Sequence, residues 1–354
     1  MSSNPYSATQ PYQMWRRAVS HVEPHRLDPV TAPRFHIAKT TRVGTAGSCF
    51  AQHIARKIRE IGFNYFVPEA GDGLAESERK ARDFGVFSAR YGNLYTVAQL
   101  DQLFEEVFDG RERYECAWQR PDGRFVDPYR PRVEPGGYAS EAEVVAARRE
   151  HLHAVERVFR ESELFIFTLG LTEAWRSKID GSIFPLAPGV VGDSFDPVRH
   201  EFHNFTVGEV TEGLEHFLIR LREVNPDVRV LLTVSPVPLI ATFEDRHVLV
   251  STTYSKSVLR VAAESALKRF DWVDYFPSYE IITASSTGGL YFEDDHREVS
   301  RLGVAHAMRC FVGHYVEGAN ASAGDVATDS TYREKLQQGR DIICDEEEIV
   351  ATLD

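Results

Sequence analysis

The feature that most constrains the fold is a repeated alternation between amphipathic helical segments and short buried strands. Apolar residues recur at helical spacing in three segments, Ser140–Arg160, Val210–Val224 and Thr253–Phe270. Each is followed by a continuous apolar run: Glu163–Gly170, Val228–Leu239 and Trp272–Ile282. Such runs are typical of strands buried on both faces of a parallel sheet. We therefore predict an α/β fold, a doubly wound, mainly parallel sheet with helices on both faces.

The pattern also divides the chain into three parts. The α/β pattern begins with a predicted strand at Arg42–Gly47 and a predicted helix at Phe50–Gly62. We predict an irregular N-terminal arm over residues 1–38, one α/β domain over 39–319, and an acidic, partly ordered tail over 320–354. The tail includes the run DEEE and a predicted helix near Tyr332–Gln338. Long loop insertions are expected at Gln119–Gly137 and Trp175–Phe205, and loops of that length often shape a site.

Charge and cysteine spacing exclude several classes of protein. The chain has 53 acidic against 40 basic residues, a net charge of −13, which argues against a nucleic-acid surface. No apolar run is long enough for a membrane span, and no secretory signal is visible. The four cysteines, Cys49, Cys116, Cys310 and Cys344, lack the CxxC spacing of zinc or redox sites. We expect a cytoplasmic protein with reduced thiols; the sequence does not indicate its oligomeric state.

Polar residues follow each predicted strand, and parallel strands end at one edge of a sheet, where such folds bind ligands. Ser48 and Cys49 stand between the first strand and the first helix, where a helix N-terminus stabilises a thiolate or an oxyanion. The alternative is a capping serine beside a small buried apolar residue. Gly170, Thr172 and Glu173 follow the second strand, and the alternative there is a capping turn.

Two further groups complete the candidates. After the third strand come His247 and Lys256. Lys256 is predicted in the first turn of a helix, where a cation suggests a nearby anion or carboxylate, and the alternative is a solvated lysine. After the last strand, carboxylates of Glu293 and Asp295 flank His296 and can orient it as a base. The alternative for this last group is an acidic surface loop.

The motif GSCFA at Gly47–Ala51 identifies the chain as similar to the GSCFA-domain family, within the wider SGNH/GDSL hydrolase-like group. Four more segments resemble family motifs in their usual order: Thr168–Trp175, Thr233–Leu239, Tyr254–Arg260 and Tyr275–Ile282. The resemblance covers roughly Arg42–Tyr315 and implies an SGNH hydrolase-like, flavodoxin-like three-layer fold. It is far less specific for a reaction, because a fold does not determine a function.

The resemblance also implies roles for individual residues. Cys49 takes the position of the nucleophile, and Ser48 stands where the group has Asp. Gly92, next to Asn93 in Ala89–Tyr95, corresponds to an oxyanion donor. The usual asparagine donor of the third block is missing, and Thr172 is the candidate to replace it.

The fifth block departs most from the group, whose pattern is Asp-x-x-His. Here the base is His296 with Glu293 or Asp295, or else it is His247, or the relay is broken. We therefore expect an acyl hydrolase or acyltransferase that forms a thioester on Cys49, without a cofactor. Its partners are an acyl donor and a carbohydrate, lipid or other hydroxyl or amine acceptor. A non-catalytic module that binds a carbohydrate or acyl ligand is the alternative, and a metal-dependent hydrolase built on Asp294, Asp295 and His296 is a third.

Overall fold

A parallel sheet of four strands, in the order β1-β4-β8-β9, forms the centre of the molecule. The computed structural model describes residues 4–318 and 345–351. The strands are β1 Val43–Gly47, β2 Trp118–Gln119, β3 Phe125–Val126, β4 Leu164–Leu169, β5 Glu173–Ser177, β6 Ile183–Phe184, β7 His200–Asn204, β8 Arg229–Val234 and β9 Val273–Tyr275. The helices are α1 Ala51–Glu60, α2 Glu76–Ala81, α3 Val97–Phe108, α4 Glu141–Glu161, α5 Val207–Val224, α6 Val248–Arg269, α7 Ser278–Thr283, α8 Arg301–Tyr315 and α9 Glu347–Ala351.

Both faces of the central sheet are buried under helices. All six residues of β4 are buried, and alternate side chains point to opposite faces of the sheet. Phe165 and Phe167 contribute to a core shared with α3, α4, α5 and α6. Leu164 and Ile166 contribute to a second core shared with α1, α7 and α8. The predicted doubly wound α/β sheet, with three layers, is therefore confirmed.

The predicted strand at Trp272–Ile282 is wrong in its second half. β9 ends at Tyr275, and α7 begins at Ser278 after Pro277. Proline has no N–H to donate to a neighbouring strand, so the ladder stops there. The same limit applies to β8, which ends at Val234, two residues before Pro236.

The two segments predicted as long loops contain short strands. β2 and β3 form an antiparallel pair, and β6, β5 and β7 form a separate antiparallel sheet. These strands are two to five residues long. Side chains such as those of Arg176 and Glu201, which form an ion pair on β5 and β7, interrupt the apolar alternation. This charged pairing explains why periodicity did not reveal them.

The N-terminal segment contains short 3-10 turns, at Pro5–Ala8, Pro11–Gln13 and Pro24–Arg26, and it contacts α8 at His25 and Leu27. Ile37 pairs with Val316 and belongs to the second core. The predicted helix near Tyr332–Gln338 lies outside the described residues. Within residues 4–318 and 345–351, no helix combines the length and the apolar character that crossing a membrane requires.

Candidate functional site at the carboxyl edge of the sheet

The strands β1, β4 and β8 end side by side, at Gly47, Leu169 and Val234. The segments that follow them meet at this edge of the sheet, in the region called the candidate crevice below, and the turn from β1 into α1 lies at its base. Gly47 has a φ of 130°, and a Cβ there would lie 2.4 Å from the backbone oxygen of Thr168. Only glycine allows this close approach of β1 to β4.

The turn leaves backbone donors available beside Cys49. Ser48 donates its N–H to Thr168 O over 3.1 Å, and the N–H of Ala51 donates to Ser48 O. In the described part of the chain, the N–H groups of Cys49 and Phe50 make no hydrogen bond. They stand at the N-terminus of α1, where the helix dipole favours negative charge. The turn can therefore stabilise a thiolate or an oxyanion.

Two buried hydroxyl groups lie at the same turn. Ser48 Oγ and Thr168 Oγ1 have no hydrogen-bond partner among the described residues, although both side chains are buried. Ser48 is not the capping residue of α1, since the N-cap is Phe50. Buried hydroxyls in folded proteins are normally paired. Their position is consistent with a crevice that contacts a polar ligand.

The loop that carries Gly92 and Asn93 crosses the end of β1. The N–H of Leu94 donates to Gly47 O over 3.0 Å, and Tyr95 O accepts the N–H groups of Gly170 and Leu171. Gly92 has a φ of 66°, in the left-handed region. The structure therefore places Gly92 and Asn93 at the same edge as Ser48, Cys49 and Gly170.

Gly170 and Lys256 form the opposite side of the crevice. A Cβ on Gly170 would lie 3.0 Å from Ser48 Cβ and 3.0 Å from Tyr95 O, so a side chain there would force these neighbours to shift. Lys256 is 1% exposed, and its Nζ donates to Gly170 O over 2.7 Å. The prediction that Lys256 lies in the first turn of its helix is wrong, because α6 begins at Val248.

Thr172 is buried and Glu173 is half-buried, and both contact other loops. The Thr172 hydroxyl donates to Asn204 Oδ1 over 2.8 Å, and its N–H donates to Ser255 Oγ. Glu173 accepts the hydroxyl of Thr242. Burial raises the pKa of Glu173. The Thr172 proton is therefore engaged away from Cys49 in this conformation.

His296 lies at the tip of an exposed turn. Phe292 and Val299 pair across the base of the turn, and His296 has a φ of 55°. Asp295 Oδ1 accepts the N–H groups of Arg297 and Glu298, both over 3.0 Å. Asp295 thus holds the shape of the turn with one of its carboxylate oxygens. Glu293 accepts the His296 N–H through its backbone oxygen.

His247 caps α6. Its Nδ1 accepts the N–H of Leu249 over 3.1 Å, which satisfies one of the open donors at the start of the helix. His53, which the sequence did not single out, lies in α1 with its ring against Phe50. Burial, together with Arg56, lowers the pKa of His53 to about 3. No histidine in residues 4–318 hydrogen-bonds Cys49 Sγ.

The structure adds an acidic segment that the sequence assigned to the tail. Asp345 and Glu346 are buried at the mouth of the crevice, against Asn93 and Arg297. Burial raises the pKa of both carboxyl groups. Arg132 lowers the pKa of Asp345, and Arg297 lowers that of Glu346, so the nearby cations partly offset the burial.

One cluster of possible metal ligands occurs among the described residues, away from this crevice. It comprises Glu115, Asp193 and His200. The guanidinium of Arg199 lies 3.5 Å from Glu115 and 3.2 Å from Asp193, so a cation already balances the two carboxylates. His200 Nε2 is 2.7 Å from Glu115 Oε1. The contacts with Arg199 and His200 therefore account for these carboxylates without a metal ion.

A comparison with curated proteins found no match. A comparison with family profiles matched the GSCFA family over residues 42–311. The matched region begins beside β1, covers the Gly47–Ala51 turn, the loop of Gly92 and the lysine of α6, and ends within α8. Since it includes most of the chain, the protein belongs to the GSCFA family.

Proposed function

We propose that this protein is an SGNH-like acyl hydrolase or acyltransferase that forms a thioester on Cys49. The observation that carries the proposal is the position of Cys49, in the turn from β1 into α1 at the carboxyl edge of the sheet. Open α/β sheets bind ligands at this edge. The available N–H groups of Cys49 and Phe50, with the loop of Gly92 alongside, support a role in binding an oxyanion.

The reaction proceeds in two stages. In the first, a base removes the Cys49 proton, the sulfur attacks the acyl carbon, and the bond to the leaving group breaks. In the second, water or a hydroxyl or amine acceptor attacks the thioester and releases the thiol. A thioester favours transfer over simple hydrolysis. The substrate class is an ester or thioester of a carbohydrate, a lipid or a CoA-type carrier.

The base is His296, oriented by Glu293 or Asp295, with His247 as the alternative. Catalysis by His296 requires its turn to move, because among the described residues no hydrogen bond joins His296 to Cys49. Catalysis by His247 requires it to give up the cap of α6. The reaction also needs reduced thiols, so a cytoplasmic location remains part of the proposal.

Iodoacetamide labelling of the native protein, followed by peptide mapping, tests the nucleophile. Cys310 is a matched control, because Cys49 and Cys310 are both 3% exposed. Burial raises the pKa of Cys310 to about 12, so this thiol is inert at neutral pH. The proposal predicts that Cys49 is labelled well before Cys310 and Cys116. Equal, slow labelling of these thiols would contradict it.

A second candidate function is a non-catalytic module that binds an acyl or carbohydrate ligand. The placement of the histidines favours it: His247 caps a helix, His296 is exposed, and among the described residues neither one hydrogen-bonds Cys49. A ligand that binds and is recovered unchanged, together with an unreactive Cys49, supports this candidate. Turnover that disappears in Cys49→Ala eliminates it.

A further inference from the structure

The C-terminal segment of Asp345 and Glu346 is held by side chains of the crevice. The Asn93 amide donates to Asp345 Oδ2 over 3.0 Å, and the N–H of Asp345 donates to Tyr95 Oη over 3.0 Å. Arg132 Nε lies 4.0 Å from the other carboxylate oxygen. Asp345 is 2% exposed, so its side chain and its backbone are both recognised in a buried setting.

Glu346 is held by a second set of cations. Arg297 Nη2 donates to Glu346 Oε2 over 2.9 Å. The charge of Lys256 also acts on this carboxylate. Glu346 is 6% exposed and Lys256 is 1% exposed. Buried charges of this kind persist only when oppositely charged or hydrogen-bonding groups face them.

These contacts lie next to the candidate nucleophile. Asn93 and Tyr95 flank Leu94, whose N–H bonds the end of β1 at Gly47. Lys256 bonds Gly170, which lies against Ser48. A chain that occupies this place therefore lies over the loops that surround Cys49.

We propose that this mouth of the crevice is a binding site for an acidic peptide segment, and that residues 345–346 are its internal occupant. The site binds the carboxylates of two consecutive residues, and Tyr95 Oη also accepts the backbone N–H of the first of them. An isolated anion has no such N–H, so the site selects a peptide. An acidic peptide from another molecule competes with the tethered copy. That such a peptide is a substrate of Cys49 rests on the proposed function; the binding itself does not.

The contrast between Glu346 and Glu347 provides a matched pair of variants. Glu346 is buried against Arg297, whereas Glu347 is exposed, and Glu→Lys changes the charge equally at both positions. In Glu346→Lys the new cation faces Arg297 and Lys256, so the segment is expelled. Glu347→Lys leaves it in place. Amide hydrogen exchange of the peptide spanning 345–351 measures this, with faster exchange expected in Glu346→Lys alone.

Binding is then measured by the fluorescence anisotropy of a labelled peptide, DEEEIVA, with full-length protein. A tethered occupant competes at an effective concentration on the order of millimolar, so wild type and Glu347→Lys bind the peptide weakly. Glu346→Lys is expected to bind at least about tenfold more tightly, because its site is open. The uncharged analogue NQQQIVA binds poorly, because its amide side chains carry no charge to complement Arg297 and Arg132.

Arg297→Gln, added to Glu346→Lys, is expected to weaken peptide binding about tenfold or more. Cys49→Ala, added to Glu346→Lys, is expected to leave peptide binding unchanged. The second result separates this site from the acyl chemistry. The proposal is overturned if exchange in Glu346→Lys matches that in Glu347→Lys. It is also overturned if the three proteins bind the charged peptide equally, or if the uncharged peptide binds as well.

Discussion

Arg297 donates a 2.9 Å hydrogen bond to Glu346 and so ties the turn of His296 to the C-terminal segment. The two residues are 49 positions apart in sequence and both are largely buried. The candidate base and the occupant of the crevice are therefore physically linked. This link has a measurable consequence for Cys49.

Glu346→Lys is expected to accelerate iodoacetamide labelling of Cys49 severalfold. Loss of the ion pair frees the turn of His296 and uncovers the loops around the thiol. Glu347→Lys, which changes the same charge at an exposed position, should label at the wild-type rate. Mass spectrometry of the peptide that contains Cys49 measures both rates. Identical rates in the two variants would show that the segment does not limit access.

Gly170→Ala is expected to destabilise the fold by about 1–3 kcal/mol, the usual cost of overpacking. The new methyl group would lie 3.0 Å from Ser48 Cβ and from Tyr95 O, and so would push the two loops apart. Gly213→Ala, inside α5, is the control, because its Cβ would make an ordinary 3.4 Å contact with Val97 of α3. There alanine should stabilise the helix by up to about 1 kcal/mol. Urea unfolding measures both effects, and the same sign at both positions would contradict the packing argument.

Asp127→Asn is expected to cost about 3–5 kcal/mol of unfolding free energy, because it removes a buried negative charge that faces two buried guanidinium groups. Asp127 bonds Arg130 over 2.7 Å and Arg148 over 3.1 Å. Burial raises the pKa of Asp127, but Arg148 and Arg130 outweigh it and hold the pKa well below its usual range. As the control, Glu161→Gln breaks an exposed pair with Arg157 and should cost less than about 0.5 kcal/mol. Similar losses in the two variants would argue against a structural role for the buried network.

Acid is expected to destabilise the protein between pH 6.5 and about pH 4, partly through His306. Its Nε2 lies 2.7 Å from Leu27 O and its Nδ1 lies 2.6 Å from Tyr291 Oη, so a neutral ring can make both contacts. Burial, helped by Arg309, lowers the pKa of His306 to about 4. As pH falls below about 6.5, the unfolded chain binds a proton that the folded state does not. Stability from this group is therefore present at neutral pH and lost in acid.

His306→Gln should be less stable than wild type at pH 7 and should lose less stability on acidification. The pH dependence of stability that remains in this variant comes from other buried imidazoles such as His151, whose pKa is lowered by burial to about 4. Unfolding free energies measured from pH 7 to pH 4 decide the matter, and an unchanged slope in His306→Gln would refute the assignment.

The elements of the central sheet could be predicted because their signal is local. β4 is a continuous apolar run, and α4 has one apolar face, so each is visible within its own window of sequence. The limits of β9 and α7 are harder to predict, because the apolar residues Ile281 and Ile282 suit a buried strand and a buried helix equally. An apolar run therefore indicates burial more reliably than it indicates whether the segment is a helix or a strand.

The part of the candidate site that could be predicted is the part that lies in or beside a single sequence motif. Gly47–Ala51 marks the turn, and the edge of a parallel sheet gathers Gly170 beside it. The docking of Asp345 and Glu346 carries no local signal, because acidic runs are normally solvated and buried carboxylates are rare. Only the three-dimensional arrangement shows that Asn93 and Arg297 receive them.

The most direct test of the central claim is to trap the acyl group on Cys49. Wild-type and Glu346→Lys proteins are incubated with p-nitrophenyl acetate, quenched in acid and mapped by mass spectrometry. The account predicts an acetyl adduct on Cys49 that neutral hydroxylamine removes, and no such adduct in Cys49→Ala or on Cys310. Acetylation that is absent from Cys49 in both proteins, or equal on Cys49 and Cys310, would contradict it.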